Sequence, residues 1–138
     1  MYKTIIDPRV SETDGVGHIN NTVVPVWLEA GRNPLFKLFT PDHNFDNWKM
    51  IIINMNIDFK NQIYFGYEVE ICTWVEKIGN TSLVLYEEVW QSDTLCASGH
   101  TTYVNFNVEK QASERIPDDI RSDLKAHLKG VSPSDTTA

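Results

Sequence analysis

The sequence predicts an α+β fold in which one helix lies against an antiparallel sheet, and three observations carry that expectation. A single stretch, from Val24 to about Phe39, spaces its apolar residues at the helical period. Four later segments, between Trp48 and Val108, alternate apolar and polar residues as strands do. The connections Gly79-Asn80 and Ser92-Asp93 are turn pairs, short enough to join neighbouring strands into a meander.

Each element follows from local chemistry. Tyr2 to Ile6 reads as a short strand, ended by Asp7-Pro8 and the polar run Ser11 to Gly17. Val24, Trp27, Leu28, Gly31, Leu35 and then Leu38 or Phe39 fall on one face of a helix. Pro25 lacks an amide proton and its ring crowds the carbonyl four residues back. A regular helix therefore begins no earlier than about Asn21 or Thr22, with Asn20 or Asn21 as its cap. Pro34 makes the same conflict with the carbonyl of Ala30, so a break or kink is expected around Gly31 to Asn33. Ile53, Met55, Ile57 and Phe59 alternate with Asn54, Asn56 and Asp58, which predicts a half-buried strand. Val69 to Val75, Ser82 to Gln91 and Thr94 to Val108 give three more. Asp118 is the expected cap of a small last helix with the stripe Ile120, Leu124 and Leu128. The whole reads as one domain over residues 1–129 with a frayed tail at 130–138.

Composition narrows the function classes. With 138 residues, 41% of them hydrophobic and 22% charged, the chain can bury a core without metal or disulfide staples. A net charge of -7 and no basic stripe argue against nucleic acid as a partner. Cys72 and Cys96 have no companions at zinc-ligand spacing, so they read as buried thiols, and neither a metal nor another cofactor is expected. No apolar run is long enough to span a bilayer, which leads to the expectation of a cytoplasmic protein without a membrane partner. One helix cannot cover both faces and both edges of such a sheet. A homo-oligomer, a dimer or further a tetramer, is therefore expected.

The stretch richest in chemistry is Thr13-Asp14-Gly15-Val16-Gly17-His18-Ile19-Asn20-Asn21, just before the helix. Backbone amides at a helix start can donate to an oxygen that gains negative charge, as the tetrahedral intermediate of acyl transfer does. Asp14 beside them can act as base or nucleophile. Asp-Gly is also a common turn pair, Asn-Asn a common cap, and a loop histidine such as His18 is commonly structural, so residue types alone leave both readings open. Glu29 on the helix is a second possible acid. Nucleophile-elbow, phosphate-loop, dinucleotide and zinc motifs are absent from the sequence.

In the order and spacing of these residues the chain resembles the 4-hydroxybenzoyl-CoA thioesterase-like branch of the hotdog-fold superfamily. The likeness lies in the acid loop Asp14 to Asn21 and in Trp27-Leu28-Glu29-Ala30-Gly31-Arg32. It continues in Gly79-Asn80-Thr81-Ser82-Leu83-Val84 and Ile116-Pro117. It covers about Tyr2 to Leu128. The resemblance implies a curved antiparallel sheet of about five strands wrapped around one long central helix. It also implies paired subunits with active sites at their interface, and hydrolysis of an acyl-CoA or acyl-carrier thioester. Asp14 takes the place of the catalytic aspartate, and the amide near Asn21 that of the group polarising the thioester carbonyl. Gly17, His18, Asn20 and Asn21 are the expected oxyanion- and substrate-positioning residues, Gly17 by letting the loop backbone approach the pantetheine arm and His18 and Asn20 by shaping the loop rather than moving protons. Two other readings stay open: a hotdog hydratase or dehydratase, whose Asp-x-Asn-Pro-x-His arrangement this loop lacks, and an acyl-thioester-binding protein that does not cleave.

Overall fold

All the expected strands form. The computed structural model describes residues 1–130, so the expected tail lies outside the described residues apart from Gly130. The strands are β1 (Tyr2–Ile6), β2 (Met50–Phe59), β3 (Val69–Ile78), β4 (Ser82–Gln91), β5 (Thr94–Asn107) and the two-residue β6 (Ala112–Ser113). They pair antiparallel throughout in the order β1-β3-β4-β5-β2, and β6 adds to β5. The β3-β4 and β4-β5 hairpins turn where Gly79-Asn80 and Ser92-Asp93 predict.

The central helix comes in two pieces, as Pro34 requires: α1 (Val24–Ala30) and α2 (Asn33–Phe39). A 3₁₀ turn, Asn21–Val23, precedes α1 and is capped by the Asn20 side chain, which accepts from the Thr22 amide at 3.0 Å. Gly31 lies at the break, where a Cβ would come within 2.7 Å of the Ile71 side chain on β3. Close approach of helix to sheet thus leaves room for glycine alone. The last helix, α3 (Asp118–Lys125), buries Leu124 as expected. Asp118 is not its cap. It is the first helical residue, and its carboxylate accepts from the Arg115 guanidinium at 2.7 Å.

The core has two parts. Val24, Trp27 and Leu28 of α1 pack on Val69, Ile71, Val89 and Ala97, while Leu35 and Phe39 of α2 pack on Val75, Leu83, Leu85 and Tyr103. Cys72 and Cys96 are buried and free. Among the described residues, no helix is long and apolar enough to cross a membrane.

The β2 strand departs from the simple alternation. Its register against β5 shifts between Ile52 and Asn54, so Ile53 is a bulge residue without a partner. Met50 and Ile52 therefore oppose Asn105 and Tyr103 on the helix-facing side, as Met55, Ile57 and Phe59 oppose Thr101, Gly99 and Ala97. The strand is also a sheet edge, and a single chain leaves Ile51, Ile52, Ile53 and Phe59 between 41% and 60% exposed. The expected half-burial fails here because nothing among the described residues covers that edge.

Candidate active site

The loop before α1 is closed on itself. An isolated bridge pairs Thr13 with Ile19, the Asp14 amide donates to the His18 carbonyl at 2.8 Å, and Gly15 and Gly17 turn between them at φ of 92° and 89°. Those left-handed angles are why glycine stands at both positions. The loop is then pinned to a second segment: Ile19 donates to the Ile63 carbonyl at 2.7 Å and Phe65 to the Gly17 carbonyl at 2.9 Å. His18 pairs with Tyr64 in a second isolated bridge, and their rings meet edge to face at 5.2 Å.

This closure fixes the Asp14 carboxylate. Its Oδ1 accepts from the Val16 amide at 2.9 Å and the His18 amide at 3.3 Å. Its Oδ2 stands 3.5 Å from His18 Nδ1, and the side chain is exposed. The Val16 hydrogen bond above all, with that of His18, holds the carboxyl below its ordinary value against a small opposing effect of burial. Asp14 is thus an ionised carboxylate with one oxygen engaged by the backbone and the other turned to His18 and water.

Asp14, Gly17 and His18 share this one loop. Asn20 does something different: its Oδ1 is spent on the Thr22 amide and hydroxyl, at 3.0 and 2.9 Å. Asn21 is exposed at the start of the 3₁₀ turn, and its amide has no recorded acceptor among the described residues. It lines a cavity of about 430 Å³ with Ile19, Val24, Phe59 and Ile63. Glu29 is exposed further along α1 and lines another cavity, with Met50, Ile52 and Met55 of β2. Among the described residues, no group of three or more His, Cys, Asp or Glu side chains is arranged to hold a metal ion.

Two features had no reading in the sequence. Glu12 is buried under the loop and receives the Trp27 indole N–H at 2.8 Å and the Arg9 amide at 2.7 Å. Burial pushes its carboxyl up, but these hydrogen bonds with the Arg9 guanidinium outweigh it and leave the group below its ordinary value. Beneath the α1–α2 break, Arg32 and Glu87 form a fully buried ion pair, with Nε to Oε2 at 2.7 Å and Nη2 to Oε1 at 2.9 Å. The pair lies between the two halves of the core, and Thr101 and Tyr103 extend its hydrogen bonding.

Comparison with known proteins gives a consistent picture. A profile described as the Thioesterase-like superfamily matches residues 8–124. A Bacillus stearothermophilus protein described as a predicted thioesterase is 56% identical, with a TM-score of 0.89 over 95% of this chain and 98% of that one. A thioesterase from Thermus thermophilus, solved in complex with coenzyme A and zinc, is 24% identical with a TM-score of 0.79. That match covers 90% of this chain and 97% of the other, and is a likeness of fold. YneP of Bacillus subtilis (strain 168), whose name assigns it provisionally as an acyl-CoA thioesterase, is 29% identical over 79 residues. The match covers 55% of this chain and 57% of that relative's length.

Proposed function

Since the chain belongs to the thioesterase-like superfamily and has its hotdog fold, we propose that it hydrolyses acyl-CoA or a related pantetheine thioester through Asp14. One observation carries the residue assignment. The Asp14 carboxylate is ionised and held by the Val16 and His18 amides through Oδ1, while Oδ2 takes no backbone hydrogen bond and stands 3.5 Å from His18 Nδ1. The names given to YneP and to the Bacillus stearothermophilus relative support the reaction class.

In the proposed reaction the thioester carbonyl lies against the exposed Asn21 amide, which donates to its oxygen as negative charge builds there. Oδ2 of Asp14 either attacks the carbonyl carbon or takes a proton from a water that does. The C–S bond then breaks and the thiolate leaves, to be protonated by solvent. On the nucleophilic route the acyl group stays on Asp14 as a mixed anhydride, which water hydrolyses to release the carboxylic acid and restore the carboxylate. Both routes start from the ionised carboxylate, which the Val16 and His18 amides hold in place. His18 positions the loop through its amide and its contact with Tyr64.

The site is completed by a second copy. The apolar free edge of β2 invites an antiparallel β2–β2 pairing about a two-fold axis. In such a pairing the Met50–Ile53 end of one strand lies against the Ile57–Phe59 end of the other. The cavity at Asn21 and Phe59 of one copy then adjoins the one at Met50, Ile52 and Met55 of its mate.

The test is thiol release from a panel of short, long, branched and aromatic acyl-CoA substrates, with enoyl-CoA hydration measured alongside. Thiol release from at least one substrate class is expected. Hydration without thiol release, or tight binding with neither, would replace the thioesterase reading by a hydratase or a binding protein.

A further inference from the structure

Between α1, α2 and the helix-facing side of β2 lies a cavity of about 610 Å³, within the usual range for a small-molecule site. Aromatic rings lead into it. Phe45 is 79% exposed, Trp48 lies 5.3 Å from it, Phe36 is 5.4 Å further, and Tyr103 another 5.8 Å on, 4% exposed at the buried end.

That end is polar, and its hydrogen bonding is incomplete. A guanidinium has five N–H donors. Arg32 gives Nε to Glu87, both Nη2 hydrogens to Glu87 and Thr101, and one Nη1 hydrogen to the Tyr103 hydroxyl at 3.1 Å. One Nη1 hydrogen remains. The Tyr103 hydroxyl accepts from Arg32, but its own hydrogen has no recorded acceptor among the described residues. Burial, against the opposing pull of Arg32, pushes the Tyr103 hydroxyl up, which keeps it a donor. Both side chains line the cavity. Two buried donors in the lining of this mostly apolar cavity, each with a hydrogen to spare, favour a ligand that brings an acceptor to them.

We infer that this cavity receives the acyl group of the substrate, and that Tyr103 with Arg32 selects acyl groups bearing a neutral keto or hydroxyl oxygen at their far end. This deepens the thioester reading and rests on it. A neutral acceptor is specified because Glu87 already balances the Arg32 charge and Glu29 lines the same cavity, so a distal carboxylate meets repulsion. The aromatic walls suit a flat or slender apolar spacer between that oxygen and the thioester.

The experiment compares kcat/KM for CoA thioesters matched in length: phenylacetyl with 4-hydroxyphenylacetyl, and hexanoyl with 5-oxohexanoyl, with adipoyl as the charged arm. The oxygenated member of each neutral pair is expected to be favoured about 5- to 10-fold, the worth of one neutral hydrogen bond. Adipoyl is expected to rank below 5-oxohexanoyl. Tyr103→Phe, which removes one of the two donors, should lower each neutral ratio. Equal or reversed ratios in the unmodified protein overturn the inference, as does a Tyr103→Phe loss that leaves the ratios intact. Should that variant not fold, the unmodified protein's ratios decide alone. Calorimetric binding of the neutral methyl esters of the same acids separates the two claims. The same ranking without thiol release from any CoA thioester keeps the pocket and sinks the thioesterase. Thiol release with no ranking does the reverse.

Discussion

Replacing Asp14 by Asn isolates its charge. The Asn Oδ1 can accept from the Val16 and His18 amides as the carboxylate does at 2.9 and 3.3 Å. The new amide nitrogen takes the place of Oδ2, 3.5 Å from His18 Nδ1. The side chain is exposed and buries nothing, so the loop and the melting temperature should be unchanged. What disappears is the anionic oxygen free to act. Loss of a positioned acid or base typically costs about 10²- to 10⁴-fold in rate, and loss of a nucleophile falls at or beyond the upper end. The assay is steady-state thiol release on the best substrate of the panel, beside a thermal melt of the same preparation. Because Asp14 must be ionised and the backbone amides hold its carboxyl below the ordinary value, activity should be flat toward neutral pH and fall only in acid, below the usual carboxylate range. An Asp14→Asn protein that melts normally and turns over at near the original rate would refute the assignment. Glu29→Gln is then the next variant to assay.

Three further outcomes are expected. Ile53→Lys, which puts a charge on the bulge of the free β2 edge, should convert a dimer seen by light scattering into a monomer with little activity; a fully active monomer would defeat the shared site. Glu87→Gln strands the buried Arg32 charge and should cost about 3–5 kcal/mol in denaturant unfolding, whereas a variant as stable as the original would show that the pair is not as desolvated as its geometry implies. Chelator treatment should leave turnover intact, and activity lost with EDTA and restored by one divalent ion would recast Asp14 and His18 as ligands.

Much of this architecture is legible in the residues because it depends on local chemistry. Pro34 dictates the helix break, Asn20 the cap, and the turn pairs the hairpins, each through contacts within a few positions of chain. The Asp14 loop is legible for the same reason, since its glycines and its acid act on one another directly. The Arg32–Glu87 pair is not, because its partners lie 55 residues apart. The sequence does place Glu87 on the inward parity of Leu85 and Val89, and Arg32 on the apolar face between Leu28 and Leu35. Two charges at buried positions hint at a pair, but only the crossing of α1–α2 over β4 identifies it. Glu12 gives no such hint, since its burial depends on Trp27 folding back over it.

The β2 bulge shows how one unread residue shapes the site. Ile51, Ile52 and Ile53 are equally apolar, so alternation counted back from Phe59 assigns Ile53 and Ile51 to the inner face. The bulge at Ile53 reverses that parity, and Met50 and Ile52 turn inward instead. Those two side chains, with Met55, form the β2 wall of the cavity that ends at Tyr103. The isoleucines turned out of the core, Ile51 and Ile53, are left exposed and apolar beside the free edge, where pairing with a second copy would cover them. One inserted residue thus builds the wall of the proposed acyl pocket and leaves an edge suited to bringing a second active loop alongside it. On the proposed reading, binding and catalysis share this one structural cause, and a change at Ile53 should disturb both together.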